Sequence, residues 1–221
     1  MKKGFIVALG MLAAGAANAQ DLAVSGKLGT LGFGLELTKA FSDSVTGRVG
    51  LNGYSYSKGA SQSGVDYDFK LKLNTVSFLA DWYPMGGTFR TTAGLMYNGN
   101  KATLDAKPST GQYTINNVVY NAADVGSLKG EMTFGKAAPY FGLGWGNPVA
   151  KEKTWGFVAD VGVLYQASPK VALDATCGAA LSAAQCTSLQ SDTAAERSQL
   201  ESDLNDFKWY PVVSIGVSYR F

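Results

Sequence analysis

The chain has 221 residues, a length that suits one domain of ordinary size. Without Lys2 and Lys3, which we expect to be removed, 17 Lys plus Arg face 17 Asp plus Glu. This balance gives no electrostatic case for nucleic acid as a partner.

The first 19 residues are typical of a secretory signal peptide. Lys2 and Lys3 precede a short apolar core over 5–17, and Ala17-Asn18-Ala19 puts small residues where a signal peptidase cleaves. The core is too short for a membrane anchor, and no later stretch has the 18 or more apolar residues of a transmembrane helix. We expect a signal peptide over 1–19 and one domain over 20–221.

Between residues 23 and 98 the chain alternates apolar and polar positions, as strands with two different faces do. The pattern predicts strands over about 23–38, 45–56, 67–82 and 89–98. A loop rich in serine and glycine is expected over 57–64. The apolar positions change phase near Asn74-Thr75, which predicts a β-bulge there.

A long insertion follows over 101–127. Within it, Asn116-Asn117 lies between two short apolar runs and suits the two-residue turn of a small hairpin. Alternation then predicts strands over about 128–146 and 155–166, and a weaker one over 171–176.

The pattern changes after residue 176. Cys177 and Cys186 are expected to form a structural disulfide, since two cysteines in an exported chain usually pair. A helix is predicted over 187–205, where Thr187 and Gln190 have capping-box spacing.

The last strand has the strictest alternation in the chain. Its apolar positions are Val213, Ile215, Val217, Tyr219 and Phe221, with mostly small or polar residues between them. This ending resembles the C-terminal assembly signal of bacterial outer-membrane β-barrel proteins. The resemblance implies outer-membrane lipid and the barrel insertion machinery as partners, and a periplasmic C-terminus.

The chain as a whole resembles the small outer-membrane barrels of the OmpA-barrel, OmpX and OmpW-like group. The expected fold is all-β, an eight-stranded antiparallel up-and-down transmembrane barrel with one short helix in its last long external loop. Residues 20–30, with a turn near 26–29, are the favoured source of the eighth strand; the segment 171–176 is the alternative. A soluble periplasmic β-sandwich is the alternative fold.

Tryptophans support the membrane interpretation, because aromatic residues mark both interfaces of such barrels. Trp82, Trp145 and Trp155 lie beside short turns, and Trp209 begins the last strand. The short turns are expected on the periplasmic side and the long connections outside.

Charged residues within the strands are predicted to point into the barrel and to pair there. They are Glu36, Arg48, Asp68, Lys70, Lys72, Arg90 and Asp160. A path for protons or ions is the alternative role. The predicted helix is expected to pack on the barrel mouth, with partner binding as the alternative.

The expected function is that of a non-enzymatic outer-membrane barrel, structural or a scaffold for surface interactions. A narrow pore or conduit for small solutes or apolar compounds is the alternative that the resemblance to OmpW-like proteins implies. Inward glycines are expected to leave some room for it: Gly142, Gly144, Gly146, Gly156 and Gly162. The chain has no His, the usual general base and a common metal ligand. We therefore expect no catalytic, cofactor-binding or metal-binding residues; Asp66, Asp68 and Asp81 are the candidates for an Asp-only mechanism.

Overall fold

The computed structural model describes residues 21–62, 65–108, 111–121 and 124–221. The predicted signal peptide lies outside these residues. The described elements are β1 (Leu22–Gly29), β2 (Gly32–Ala40), β3 (Val45–Gln62), β4 (Val65–Trp82), β5 (Phe89–Asn98), β6 (Lys101–Pro108), β7 (Gln112–Ile115), β8 (Val118–Asn121), β9 (Val125–Thr133), β10 (Ala137–Trp145), β11 (Trp155–Tyr165), β12 (Lys170–Cys177), α1 (Ala183–Asp203) and β13 (Trp209–Arg220).

Eight strands close into an antiparallel barrel, which confirms the predicted fold class. Around this ring the order is β1, β2, β3, β4, β5, β10, β11, β13, and β13 pairs with β1. Strands that follow one another around the ring also follow one another along the chain, apart from two excursions, so the topology is up-and-down. One closed sheet forms, and not the two packed sheets of a β-sandwich.

The eighth strand comes from the start of the domain. β1 pairs with β13 from Ala23 opposite Arg220 to Gly29 opposite Ser214, so the favoured placement over 20–30 is confirmed. Its turn lies at residues 30–31, slightly later than predicted. The alternative segment 171–176 belongs to β12, which pairs with β9 outside the ring.

A second group of strands rises from one end of the ring. β3 and β4 pair without interruption from Val45 opposite Trp82 to Gln62 opposite Val65, so the predicted loop is wrong over 57–62. Backbone pairing holds this stretch, although its sequence has no alternation of apolar and polar residues. Beyond the ring, β4 pairs with β6, then β9 and β12 follow. We call these strands, with the projecting parts of β3 and β4, the outer sheet.

The predicted bulge near Asn74-Thr75 is wrong, because the register of β3 and β4 is continuous there. Instead, the apolar residues lie on one face of β4 within the ring and on its other face within the outer sheet. In the ring, Phe78 and Trp82 point outward while Thr75 and Asp81 are buried in the lumen. In the outer sheet, the odd-numbered positions that continue the lumen face are the apolar ones.

The predicted strand over 128–146 is two strands, β9 in the outer sheet and β10 in the ring. The hairpin of β7 and β8 is confirmed, and its turn residues Asn116 and Asn117 have φ angles of 49° and 62°. These positive angles match the two-residue turn type that asparagine favours.

Helix α1 begins earlier than predicted. Its N-cap is Ser182, which forms a capping box with Gln185, whereas Thr187 is inside the helix and donates to the carbonyl of Ala183. The Cys177–Cys186 disulfide is confirmed and ties the end of β12 to the first turn of α1. Within the described ranges, no helix combines the length and hydropathy needed to span a membrane.

The hairpin and the helix cover part of the outer sheet. Their contact is a small apolar core formed by Ala106, Tyr113, Ile115, Val125 and Leu189. Because these residues come from β6, β7, β9 and α1, this core joins the hairpin and the helix to the outer sheet.

Candidate functional site

Six charged side chains meet in the lumen, each from a different strand of the ring. Each has 8% or less of its side chain exposed, and three cations balance three anions. We call this group the charge cluster: Lys27 (β1), Glu36 (β2), Arg48 (β3), Asp81 (β4), Arg90 (β5) and Asp160 (β11).

Arg48 is at the centre of the charge cluster. Its Nε lies 2.7 Å from Asp81 Oδ2, and its Nη1 lies 3.1 Å from Glu36 Oε1. Its Nη2 lies 3.3 Å from Asp160 Oδ1. One guanidinium therefore joins three carboxylates, which its planar fork of N–H donors suits better than an ammonium group would.

The other two cations complete the pairing. Lys27 Nζ lies 2.6 Å from Glu36 Oε1 and 2.9 Å from Asp160 Oδ2. Arg90 Nη2 lies 2.7 Å from Asp160 Oδ1, and Arg90 also donates to the carbonyl of Gly146. Arg90 Nε lies 3.6 Å from Asp81 Oδ1, so every carboxylate of the cluster faces at least two cations.

Two threonines add hydrogen bonds to the same network. Thr92 Oγ1 donates to Asp81 Oδ1 at 2.6 Å, and Thr46 Oγ1 donates to Asp81 Oδ2 at 3.1 Å. A buried charge is costly unless it is paired and hydrogen-bonded. All six charges of this cluster are paired, and each carboxylate accepts a side-chain hydrogen bond from one of the cations.

Glycines of β10 and β11 make room for this network. A Cβ at Gly144 would lie 2.6 Å from Arg90 Nε, and one at Gly142 would lie 2.4 Å from the Tyr140 hydroxyl. At Gly162, a Cβ would lie 2.5 Å from the same hydroxyl. The space beside these three glycines is therefore occupied by neighbouring side chains.

An apolar layer adjoins the charge cluster toward the outer sheet. It is formed by Leu31, Leu79, Met96, Ala138, Tyr140, Leu164 and Val212, all buried. The cavity between this layer and the charge cluster measures about 30 Å³. That volume is about enough for one water molecule.

The outside of the ring has the opposite character. Phe157 is 84% exposed, and the other outward side chains of the ring are mostly apolar as well. They include Leu28, Phe33, Leu35, Val49, Leu51, Phe78, Leu95, Phe141, Leu143, Val161, Val163, Val213, Ile215 and Val217. A closed ring with an apolar belt satisfies every strand backbone internally, which is what a lipid environment demands of a β-structure.

No family model matches the chain, and no curated protein is a significant match to it. Among solved structures, CarO2 of Acinetobacter baumannii aligns with 25% identity and a TM-score of 0.59 over 90% of this chain and 98% of that one. CarO of the same organism aligns with 27% identity and a TM-score of 0.58 over 91% and 97%. A major outer membrane protein of Thermus thermophilus aligns with 13% identity and a TM-score of 0.47 over 90% and 98%.

The chain is a small outer-membrane β-barrel protein. Its short connections at 41–44, 83–88 and 146–154 lie at the same end as the C-terminus. In outer-membrane barrels, short turns face the periplasm and long connections face outward. This rule assigns the outer sheet, the hairpin and α1 to the external side, which we call the external part.

Aromatic pairs mark both ends of the membrane-spanning ring. The Trp155 and Tyr219 rings are 5.0 Å apart at the periplasmic end, and the Tyr165 and Trp209 rings are 4.9 Å apart at the external end. These positions match the two aromatic girdles of outer-membrane barrels.

A polar contact fixes the hairpin to α1 on the external side. Asp192 accepts hydrogen bonds from the Tyr120 hydroxyl at 2.5 Å and from the Asn116 side-chain amide at 3.1 Å. These bonds, the one from Tyr120 above all, hold the pKa of the Asp192 carboxyl below its usual value. Burial, together with the bond to Asp192, raises the pKa of Tyr120 to about 12.

The structure places four of the seven predicted interior charges in the charge cluster: Glu36, Arg48, Arg90 and Asp160. Asp68, Lys70 and Lys72 are not in the lumen. They lie on the projecting part of β4, where Lys70 is 3.4 Å from Asp105. The alternation correctly indicates a strand with two different faces. Beyond the membrane, however, the polar face of this strand points to water and not into the barrel.

Two members of the charge cluster were missed as interior charges. Lys27 lies in a stretch too short and glycine-rich to give a clear strand pattern. Asp81 alternates with Ala80 and Trp82, so period two alone was a sufficient signal for its inward direction. The two other candidates for an Asp-only mechanism, Asp66 and Asp68, are exposed on the outer sheet.

Proposed function

We propose that this protein is a non-enzymatic, non-conducting outer-membrane barrel that carries a rigid external scaffold for surface interactions. The observation behind this proposal is the neutral charge cluster, which joins six of the eight strands across the lumen. The apolar layer and the filled glycine positions beside it support the same conclusion. Hydrated ions would have to displace both layers to cross.

The external part supports the role of a scaffold. Its disulfide, its apolar core and the Asp192 contact hold hairpin, helix and outer sheet together. Recognition commonly lies on connecting segments that a rigid frame positions. The exposed side of α1 and the hairpin strand β8 are the surfaces that this frame presents.

The test is conductance in planar lipid bilayers. The purified protein is expected to give no steady openings under conditions in which a known porin, reconstituted in parallel, conducts. Heat-dependent gel migration of the same preparation checks that the barrel is folded. Discrete, reproducible openings of the folded protein would contradict the proposal and favour the pore alternative.

We propose further that residues 1–19 direct export and that the insertion machinery recognises β13. In support, Val213, Ile215 and Val217 point outward, and the Phe221 amide donates to the Leu22 carbonyl, where the ring closes. Removing the Phe221 ring with Phe221→Ala is expected to lower the amount of barrel in the outer membrane. Phe207→Ala, at a similarly exposed phenylalanine on the external side, is the matched control and should leave that amount unchanged.

A further inference from the structure

A pocket of about 650 Å³ lies at the external mouth of the barrel. We call it the mouth pocket, and its lining is almost entirely apolar. The side chains that matter below come from the outer sheet, the β1–β2 hairpin and the segment after α1. A volume of this size is typical of sites for small molecules.

One wall of the mouth pocket is the apolar side of the outer sheet. Leu71 pairs with Ala102, and Ala102 pairs with Met132, so the three side chains form a row on one face. Farther from the membrane, the same face is covered by Tyr113 and Leu189. Near the membrane no such cover is present among the described residues, and the row lines the pocket.

The floor of the mouth pocket separates it from the lumen. Tyr210 lines the pocket and packs against the apolar layer. Its hydroxyl donates to the carbonyl of Thr30 at 2.6 Å, which fixes the ring over the β1–β2 turn. A molecule in the pocket therefore lies above a closed lumen.

At the β1–β2 turn, the barrel wall beside the mouth pocket is short, and this side of the pocket faces the bilayer. The β1–β2 turn is only two residues long, so the wall of the ring ends there at Thr30 and Leu31. Leu28 and Phe33, which point outward at 52% and 63% exposure, line the pocket as well as the lipid-facing belt. The apolar surface is thus continuous from the membrane into the pocket.

Two polar side chains that line the mouth pocket, Gln166 and Lys101, already have partners. The Gln166 side chain accepts from Asn98 at 3.4 Å and donates to the Phe207 carbonyl at 3.2 Å. Lys101 Nζ lies 2.9 Å from Glu131 Oε2. Because the lining is almost entirely apolar, an occupant needs to offer mainly apolar surface.

From this geometry we infer that the mouth pocket binds an alkyl chain, which enters sideways from the bilayer over the β1–β2 turn. The chain is either an acyl tail of a membrane lipid or the tail of a free fatty acid. This binding site goes beyond the scaffold function and does not need an open lumen. It adds an exchange of apolar molecules with the membrane to a barrel that excludes ions.

The test uses the full barrel in lipid vesicles with two photoreactive probes, each carrying a diazirine at the end of an alkyl chain. One probe is a free C16 fatty acid, and the other is a phosphatidylethanolamine with the same tail. Labelled residues are mapped by mass spectrometry. Labelling of Leu71, Ala102, Met132 or Phe134 is expected for at least one probe, and the probe that labels identifies the source of the chain.

Two filling variants and a matched control make the result specific. Leu71→Trp is expected to reduce labelling of the other lining residues at least about fivefold, and Ala102→Leu gives a second, milder obstruction. Leu143→Trp, on the lipid-facing side of β10 and not among the lining residues, should leave that labelling unchanged. Heat-dependent migration confirms that each variant is folded.

The inference is overturned if neither probe labels the lining residues of the folded wild type, or if folded filling variants label as strongly as the wild type. Bilayer conductance is measured separately, so the binding site and the non-conducting function fail independently. Channel openings together with normal labelling would contradict only the proposed non-conducting function. Absence of conductance together with absence of labelling would contradict only the proposed binding site.

Discussion

Arg90 on β5 reaches Asp160 on β11 across the strand that separates them. Its Nη2 lies 2.7 Å from Asp160 Oδ1, and the intervening strand β10 carries Gly144 directly opposite both residues. A side chain at this position would stand between the two charges. The shortest ion pair of Arg90 therefore depends on residue 144 having no side chain.

Gly144→Ala is expected to destabilise the barrel by about 1–3 kcal/mol, the usual cost of forcing an extra methyl into a packed interior. The new Cβ would lie 2.6 Å from Arg90 Nε and 2.8 Å from Asp160 Oδ1. Urea unfolding in lipid vesicles measures the change. Gly26→Ala is the control, because a Cβ there meets nothing within 4 Å, and equal losses for both variants would contradict the explanation.

Asp160→Asn removes the carboxylate that Lys27, Arg48 and Arg90 share. The expected cost is about 3–5 kcal/mol, because the three cations remain buried with one anion fewer. Asp105→Asn, which breaks the exposed pair with Lys70, should cost at most about 1 kcal/mol. Unfolding free energies in vesicles compare the two, and a small effect at Asp160 would show that the cluster is solvated.

Ile215→Lys places a charge in the middle of β13 on the lipid-facing side. The expected loss is about 2–4 kcal/mol if this residue is near the bilayer midplane. Ser198→Lys on the exposed side of α1 is the control and should change stability by no more than about 0.5 kcal/mol. A tolerated lysine at 215 would argue against lipid contact along this strand.

Replacing both Cys177 and Cys186 with Ala is expected to loosen the external part and leave the ring intact. Closing a loop of this size contributes about 2–3 kcal/mol. Hydrogen exchange should rise in the first turns of α1 and in β12, while heat-dependent gel migration stays as in the wild type. Wild type treated with a reducing agent should behave like the double variant; unchanged exchange in both would mean that packing alone anchors the helix.

The contact between Tyr120 and Asp192 predicts a pH dependence on the external side. Because the pKa of Asp192 is lowered in the folded protein, its bonds add stability above the ordinary carboxyl pKa of about 4 and are lost as the pH falls through the lowered value. The carboxyl carbon shift of Asp192, followed by NMR, reports its titration. Tyr120→Phe should move the midpoint up toward the ordinary value, whereas Tyr113→Phe should not move it.

The charge cluster illustrates how far period-two alternation predicts a site. Alternation alone gave the inward direction of Glu36, Arg48, Arg90 and Asp160, because a strand with one lipid-facing side must turn its charges inward. It did not give their pairing. Which strands are neighbours, and how far each is shifted along the ring, decides that Arg48 meets Asp81 and Asp160.

The outer sheet shows where the same pattern fails. Along β4, Phe78 and Leu71 belong to apolar sets of opposite parity, which as sequence resembles a bulge. The strand is in fact regular, and its surroundings change instead. Lipid lies outside the barrel, whereas above the membrane the apolar side is the one that faces the helix and the hairpin.

The amino-acid sequence by itself determined the membrane barrel, the final strand, the Asn116-Asn117 turn and the cysteine pair, because each depends on residues close together along the chain. Only the tertiary structure decided the partners of the buried charges, the outer sheet and the mouth pocket. These depend on strand order and register between residues that lie apart along the chain, by 12 positions for Glu36 and Arg48 and by 133 for Lys27 and Asp160. Alternation states which side of a strand is apolar, but only the neighbouring strands determine whether that side meets lipid, protein or an open pocket.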